Sequence, residues 1–269
     1  MSGIKGKSRR WVKKLQRFTE ETVTYLRLNF SGNRVQKLAD FRACEKPVLL
    51  VYGFGATRLI FSILEKRLRK DGYCVFSVNL GGLFDTFNIQ GIIKSAKIIQ
   101  RKIDKLYSLY NLGPLTIIGH SKGGLIGEYY VKYLHGAERA VNLITLATPH
   151  RGSPWAFLGL LSPLALVSAS IRQMWPFSPF IRKLNREPMS DAVHFVSIYS
   201  KNDAVCPYPC CKLNLEDFPQ YKNIEMDDVS HSQFVMNRRV YEVIREEIQE
   251  GFAKAQHRAP EQKTVCLVP

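Results

Sequence analysis

The sequence predicts an α/β protein with a mostly parallel central sheet covered by helices on both faces, and three observations predict it. Short apolar runs alternate with longer stretches of helical period from Pro47 to Phe252. The runs are apolar throughout rather than at every second position, as expected of strands buried on both faces. The chain has 269 residues, 45% of them apolar, which is enough for a full core.

The elements follow in order. Val48 to Tyr52 reads as the first strand. Leu59, Ile60, Ile63, Leu64 and Leu68 recur at helical spacing, and Asp71-Gly72 ends that helix. Tyr73 to Val78 is the second strand. A long helix carries Ile89, Ile92, Ile93, Ala96, Ile99, Ile103, Leu106 and Tyr110, and closes near Gly113-Pro114. Leu115 to Ile118 is a strand and Leu125 to Leu134 a helix. Val141 to Ala147, Val193 to Tyr199 and the short run Asn223 to Met226 supply further strands. A last helix is marked by Phe234, Val235, Tyr241, Ile244, Ile248 and Phe252.

Residues 152–190 break this rhythm, with no strand pattern but many aromatic and aliphatic residues. Pro154 to Ile171 carries no charge, yet Pro163 interrupts it and its neighbours belong to a soluble sheet, which argues against a membrane span. The segment reads as an apolar cap or lid. Trp155, Phe157, Leu161 and Trp175 are its candidates for substrate contact. The domain thus covers residues 46–253, with a basic helical arm before it and a loose polar tail at 254–269. In the arm, Trp11, Val12, Leu15, Phe18, Val23 and Leu26 interleave with cations, a pattern suited to packing on the domain or lying in a membrane interface.

Residues 115–124, LTIIGHSKGG, contain the pattern G-x-S-x-G centred on Ser121. On a sharp strand-to-helix turn, such a serine projects its hydroxyl above the sheet in a strained conformation. Gly119 and Gly123 flank it because side chains would crowd the turn. A serine hydroxyl is a poor nucleophile at neutral pH, so this reading demands a histidine base, an acid and an oxyanion hole.

The chain order expected is Ser, acid, His. Six histidines are present. His120 and His135 lie too close to Ser121 in the chain. His150 precedes any suitable acid, His194 lies inside a strand pattern and His257 falls in the tail. His231 remains, after the last short strand and before the last helix. Asp203 ends the preceding strand and is the acid. Asp227 and Asp228 share the loop of His231 and read as solvated. For the oxyanion, Lys122 supplies the N–H after the nucleophile. Phe54, in the glycine-flanked loop after the first strand, supplies the other.

Other chemistries fit less well. Gly53-Phe54-Gly55-Ala56-Thr57-Arg58 lacks the third glycine of a dinucleotide loop, and the next strand ends without a ribose-binding acid. Cys206-Pro-Tyr-Pro-Cys210-Cys211 has no second pair at zinc spacing, so no metal or cofactor is expected. Met1 to Arg10 is polar with no apolar run behind it, so the reading expects no secretory signal, a cytoplasmic location and six free thiols. The net charge is +16, and residues 1–46 contribute twelve cations against four acids, or +8. That arm fits an anionic membrane surface; a nucleic-acid role would rest on charge alone.

With these residues in place, the chain resembles the bacterial triacylglycerol lipase/esterase branch of the α/β-hydrolases. The segments that carry the resemblance are VLLVYGFGAT (48–57), LTIIGHSKGG (115–124), NLITLATPHRGSP (142–154), SIYSKNDAV (197–205) and DDVSHSQF (227–234). The resemblance implies a triad at Ser121, Asp203 and His231, an oxyanion hole at Phe54 and Lys122, and an acyl-ester or lipid substrate. Two departures stand out. Tyr52-Gly53 replaces the usual His-Gly, and Lys122 stands where Met or Gln is common. The Lys122 side chain is expected to add positive charge at the cleft and favour anionic lipids. The competing functions are acyl transfer on the same fold and a non-catalytic membrane- or partner-binding module.

Overall fold

The computed structural model describes Val23, Arg27, Phe41, Arg42, Cys44, and residues 45–81, 88–156 and 168–264, with side chains to Arg258. The sequence-predicted arm helix falls almost wholly outside these residues.

Six strands form one parallel sheet: β1 (Pro47–Val51), β2 (Cys74–Ser77), β3 (Leu115–His120), β4 (Ala140–Leu146), β5 (His194–Tyr199) and β6 (Lys222–Glu225). Their order is β2-β1-β3-β4-β5-β6, and every neighbouring pair is parallel. Strands β1, β3 and β5 are buried at every position, whereas edge strand β6 is not. Buried β1 and β3 pack Leu49 against Ile117 and Leu50 against Ile118 in register.

Four of the helices follow the predicted periods, and three short ones have no predicted period. The helices are α1 (Ser62–Lys70), α2 (Ile92–Leu109), α3 (Lys122–Tyr133), α4 (Ala169–Met174), α5 (Pro179–Arg186), α6 (Tyr208–Cys211) and α7 (Arg238–Thr264). A 3₁₀ turn at Arg58–Phe61 leads into α1. On α2, Ile92, Ala96, Ile99, Ile103 and Leu106 form the buried stripe. The cap contributes α4 and α5; Ser178 caps α5 by accepting from the Ile181 N–H, with Pro179 at the first helical position. The insertion contains no strand among its described residues, as expected.

Two expectations are corrected. The loose tail does not begin at 254, because α7 continues to Thr264. Ala253 and Ala255 are strong helix formers, and Lys254 pairs with Glu250 one turn back at 2.7 Å. Nor are all the cysteines thiols. Cys44 is joined to Cys74 in a disulfide, because Cys74 N–H bonds Lys46 O and draws the start of β2 against the chain entering β1. Cys206, Cys210 and Cys211 are free.

α7 is held to the sheet by an ionic network that is buried at His194 and Glu247 and partly exposed at Lys222 and Glu250. His194 Nε2 meets Glu247 Oε2 at 2.8 Å, and Lys222 spans Glu247 and Glu250 at 2.7 Å each. His194 is therefore the satisfied sheet histidine the sequence suggested. Removal of Glu247 strands a buried imidazole. Glu247→Ala is expected to lower the unfolding free energy by roughly 2–3 kcal/mol in chemical denaturation; a change below about 0.5 kcal/mol would contradict this account.

Candidate active site

The strand order reverses between β1 and β3: the chain moves outward from β1 to β2, then returns to the other side of β1. In open α/β sheets, ligands bind outside the carboxyl ends of the strands at such a reversal. Both oxyanion candidates and Ser121 lie just past the carboxyl ends of β1 and β3.

Ser121 occupies φ 55°, ψ −129°, between the end of β3 and the first residue of α3. This is a costly conformation for a residue with a Cβ. Its neighbours leave it no alternative. Its N–H bonds Leu146 O at 2.9 Å, and its carbonyl accepts from Gly124 N–H (3.0 Å) and the Thr148 hydroxyl (2.9 Å). At Gly123 a Cβ would stand 1.9 Å from Val51 O, so only glycine lets α3 begin this close to β1.

Asp203 and His231 come together as the sequence indicated. Asp203 is buried; its Oδ1 accepts the N–H groups of Val205 and Cys206, each at 2.8 Å, while Oδ2 lies 2.8 Å from His231 Nδ1. A carboxylate there requires the Nδ1 proton and leaves Nε2 of the neutral ring as an acceptor. Burial by itself would depress the imidazole, but the Asp203 hydrogen bond and charge outweigh it and hold the pKa above 6.5. Asp227 and Asp228 are exposed, and Asp228 bonds Asn202 instead.

His120 has a part that chain order concealed. It is fully buried, its Nε2–H donates to His231 O at 3.0 Å, and the two rings lie 4.6 Å apart. Burial and the neighbouring His231 push its pKa well below 6.5, so it stays neutral. The residue before the serine thus pins the loop that carries His231. The only sequence signal for this is its place inside the G-x-S-x-G pattern.

The β1 loop closes on the serine from the other side. A Cβ at Gly53 would lie 2.9 Å from Ser121 Cβ, so the chain passes directly against the serine before reaching Phe54. Lys122 opens α3, where its N–H has no intrahelical acceptor. Tyr52, in place of histidine, is buried, and its hydroxyl accepts from Leu80 N–H at 2.8 Å.

The Lys122 side chain does not behave as expected. It is fully buried, not poised at the cleft. Nζ donates to Asn88 O (3.0 Å), Asn88 Oδ1 (2.7 Å), Gln90 O (3.0 Å) and Ser170 Oγ (3.0 Å). These acceptors lie inward, beneath the cap, and draw the ammonium away from solvent; burial depresses its pKa well below the usual lysine range. Trp155 is 52% exposed, and Trp175 packs edge-on against Phe177. Phe157 and Leu161 lie outside the described residues.

His150 belongs to a separate buried network, bonding Glu128 (2.8 Å) and Thr145 (2.9 Å). Burial opposes ionisation of Glu128, but Lys132 and His150 hold its carboxyl below the usual range. Among the described residues, His194, Glu247 and Glu250 have the spacing of a metal site, but Lys222 and Lys254 already neutralise those carboxylates.

The parallel sheet, the strained serine and the paired acid and histidine define the α/β-hydrolase class. A family model of the PGAP1-like alpha/beta domain matches residues 32–203, and the chain belongs to that family. Among solved structures, a lipase from Bacillus licheniformis aligns with TM-score 0.62 and 14% identity, covering 81% of this chain and 96% of its own. An esterase from Exiguobacterium antarcticum aligns at TM-score 0.59 and 16% identity, over 77% of this chain and 92% of its own. A bromoperoxidase from Bacillus anthracis aligns at TM-score 0.59 and 14% identity, over 76% of this chain and 92% of its own. At these identities the likeness establishes the fold.

The geometry makes a prediction independent of any reaction. In an NMR titration, the His231 ring is expected to titrate above pH 6.5, and in Asp203→Asn its midpoint should fall. The raised value means that the ion pair stabilises the fold fully below the unfolded pKa and loses that contribution as pH rises through the folded one. An unshifted midpoint in the variant would contradict the assignment.

Proposed function

We propose that the protein is a serine carboxylic-ester hydrolase acting on acyl esters of lipid type through Ser121, His231 and Asp203. One observation carries the reading: a serine held at φ 55° next to His120, which bonds the carbonyl of a histidine whose Nδ1 is committed to a buried aspartate. As Ser121 Oγ bonds to the carbonyl carbon, its proton passes to His231 Nε2. The carbonyl electrons move onto oxygen, where the N–H groups of Phe54 and Lys122 would receive the charge. Collapse expels the alcohol, which takes the proton from His231 and leaves an acyl-serine. Water then attacks, His231 accepts its proton and returns it to Ser121 as the acid leaves.

Asp203 holds the tautomer and stabilises the imidazolium. The raised pKa of His231 places the acid limb of kcat/KM above pH 6.5, since the base must be unprotonated.

The lipid preference rests on the cap. Trp155 and Phe177 are 52% and 70% exposed, and Arg172, Arg182 and Lys183 on α4 and α5 are exposed too. Aromatic and cationic side chains on one insertion suit an anionic lipid interface. These cap cations replace Lys122 as the basis for that preference. No helix among the described residues is long and apolar enough to cross a membrane, so the contact proposed is peripheral.

An ester panel of varied chain length that includes phospholipids tests the reading. Ser121→Ala should reduce kcat by a factor on the order of 10⁶, and Asp203→Asn by about 10⁴. Undiminished turnover by Ser121→Ala would refute it. An added alcohol distinguishes hydrolysis from acyl transfer by the product that forms. Failure of a fluorophosphonate to label Ser121 would favour a binding module.

A further inference from the structure

Lys122 is the residue whose placement the proposed reaction leaves unexplained. That reaction uses only its backbone N–H, for which any side chain would serve. Instead the chain buries an ammonium completely, with no carboxylate among its hydrogen-bond partners. An apolar residue of similar length would fill the space without the cost of desolvating a charge. The ammonium must therefore be judged by what it joins.

It joins three elements. The first is the β1 loop: Nζ lies 5.4 Å from the centroid of the Phe54 ring, within cation–π range. The second is the strap at residues 88–92, through both oxygens of Asn88 and the carbonyl of Gln90. The third is cap helix α4, through Ser170 Oγ.

The strap is bonded on both sides as well. Towards the β1 loop, Asn88 O accepts from Gly55 N–H (3.0 Å), Asn88 N–H donates to Ala56 O (3.3 Å), and Asn88 Nδ2 donates to Tyr52 O (3.3 Å). Asn88 thus grips the loop one residue on either side of Gly53-Phe54 and again at Ala56. Towards the cap, Ser168 Oγ donates to Ile89 O (2.9 Å), Ser170 Oγ donates to Gln90 O, and Ile92 N–H donates to Gln173 Oε1 (2.6 Å).

We infer that the Lys122 ammonium is a positioning residue that locks the Phe54 loop to the base of the cap, so that seating of the cap sets the geometry of the oxyanion hole. The inference rests on the reading of Phe54 and Lys122 as oxyanion donors. An ammonium has three protons, and four oxygens surround it here; a displaced α4 removes Ser170 and loosens Gln90. The charge would then be buried with too few acceptors, and Asn88 and Phe54 must shift to accommodate it. A cap out of place therefore withdraws Phe54 N–H, while Ser121, Asp203 and His231 stay as they are.

The test compares Lys122→Met, Ser170→Ala and the double variant on a soluble short-chain ester, with amide hydrogen exchange on the same proteins. Lys122→Met is expected to lose about 10²-fold in kcat, the scale of a misplaced catalytic group, with KM within about threefold of wild type. Ser170→Ala is expected to lose a few-fold, and the double variant to lose clearly less than the product of the two, because Ser170 acts through Lys122 as well as through its own bond to Gln90 O. Exchange should quicken at residues 53–57 in both single variants, Gly55 above all, while β3 and β5 keep their protection. Ser170→Ala is decisive where Lys122→Met does not fold, since Ser170 makes no bond to the loop it should loosen. Wild-type exchange at 53–57 in Ser170→Ala, multiplicative losses in the double variant, or a uniform rise in exchange across the sheet would each overturn the inference. A wild-type protein that hydrolyses no ester would overturn the proposed function instead, and the exchange pattern would still decide the coupling.

Discussion

The strained backbone at Ser121 is the constraint on which the rest of the site depends. A non-glycine residue at φ 55° costs on the order of 1–3 kcal/mol and persists only where its surroundings over-determine it. Here the bonds from Leu146, Gly124 and Thr148 fix both of its peptide groups, and β1 blocks any retreat of α3 at Gly123. Those partners come from β1, β4, α3 and the loop after β4. The parallel sheet is therefore the clamp that keeps the strain in place. Without adjacent, in-register carboxyl ends of β1, β3 and β4, the turn would relax and the hydroxyl would drop towards the sheet.

The histidine and the aspartate are placed by the same logic of strand ends. Asp203 follows β5, and His231 follows β6, so both approach the site from the side opposite the β1 loop. Two bonds then remove their remaining freedom. The Val205 and Cys206 N–H groups orient the carboxylate, and His120, the residue before Ser121, fastens the carbonyl of His231. His120 and Ser121 share one peptide, so the strain that aims the serine also fixes where the histidine loop can lie.

How far the sequence discloses this depends on whether a feature is local. The elbow is legible because its glycines answer to contacts within a few residues. Asp203 and His231 are legible because an alternating α/β pattern fixes which loops share an edge, and chain order then excludes the other histidines. The run of the Lys122 side chain is not legible. Its acceptors are 32 to 48 residues away, and nothing near Ser121 signals that a charge would turn inward. The Cys44–Cys74 disulfide escapes for a related reason: it depends on how the chain enters β1 beside β2. The extension of α7 is missed because the residues after Phe252 lack the apolar stripe that marks a packed helix and Pro260 reads as a stop, although residues 253–259 have high helix propensity.

Fold likeness of this degree reaches a lipase, an esterase and a bromoperoxidase alike, so what separates the members must lie in the loops above the sheet. In this chain the distinctive loop chemistry is concentrated at one place. The strap at 88–92 touches the β1 loop on one side and the cap on the other, and a buried charge fills the junction. Hydrolysis and acyl transfer share every step up to the acyl-enzyme and differ in whether water or an alcohol reaches it. In the proposed reading the cap governs that admission. A site in which the cap also sets the position of the oxyanion donors would join acceptor choice to rate, because an acceptor that unseats the cap would disable the very groups needed to consume it.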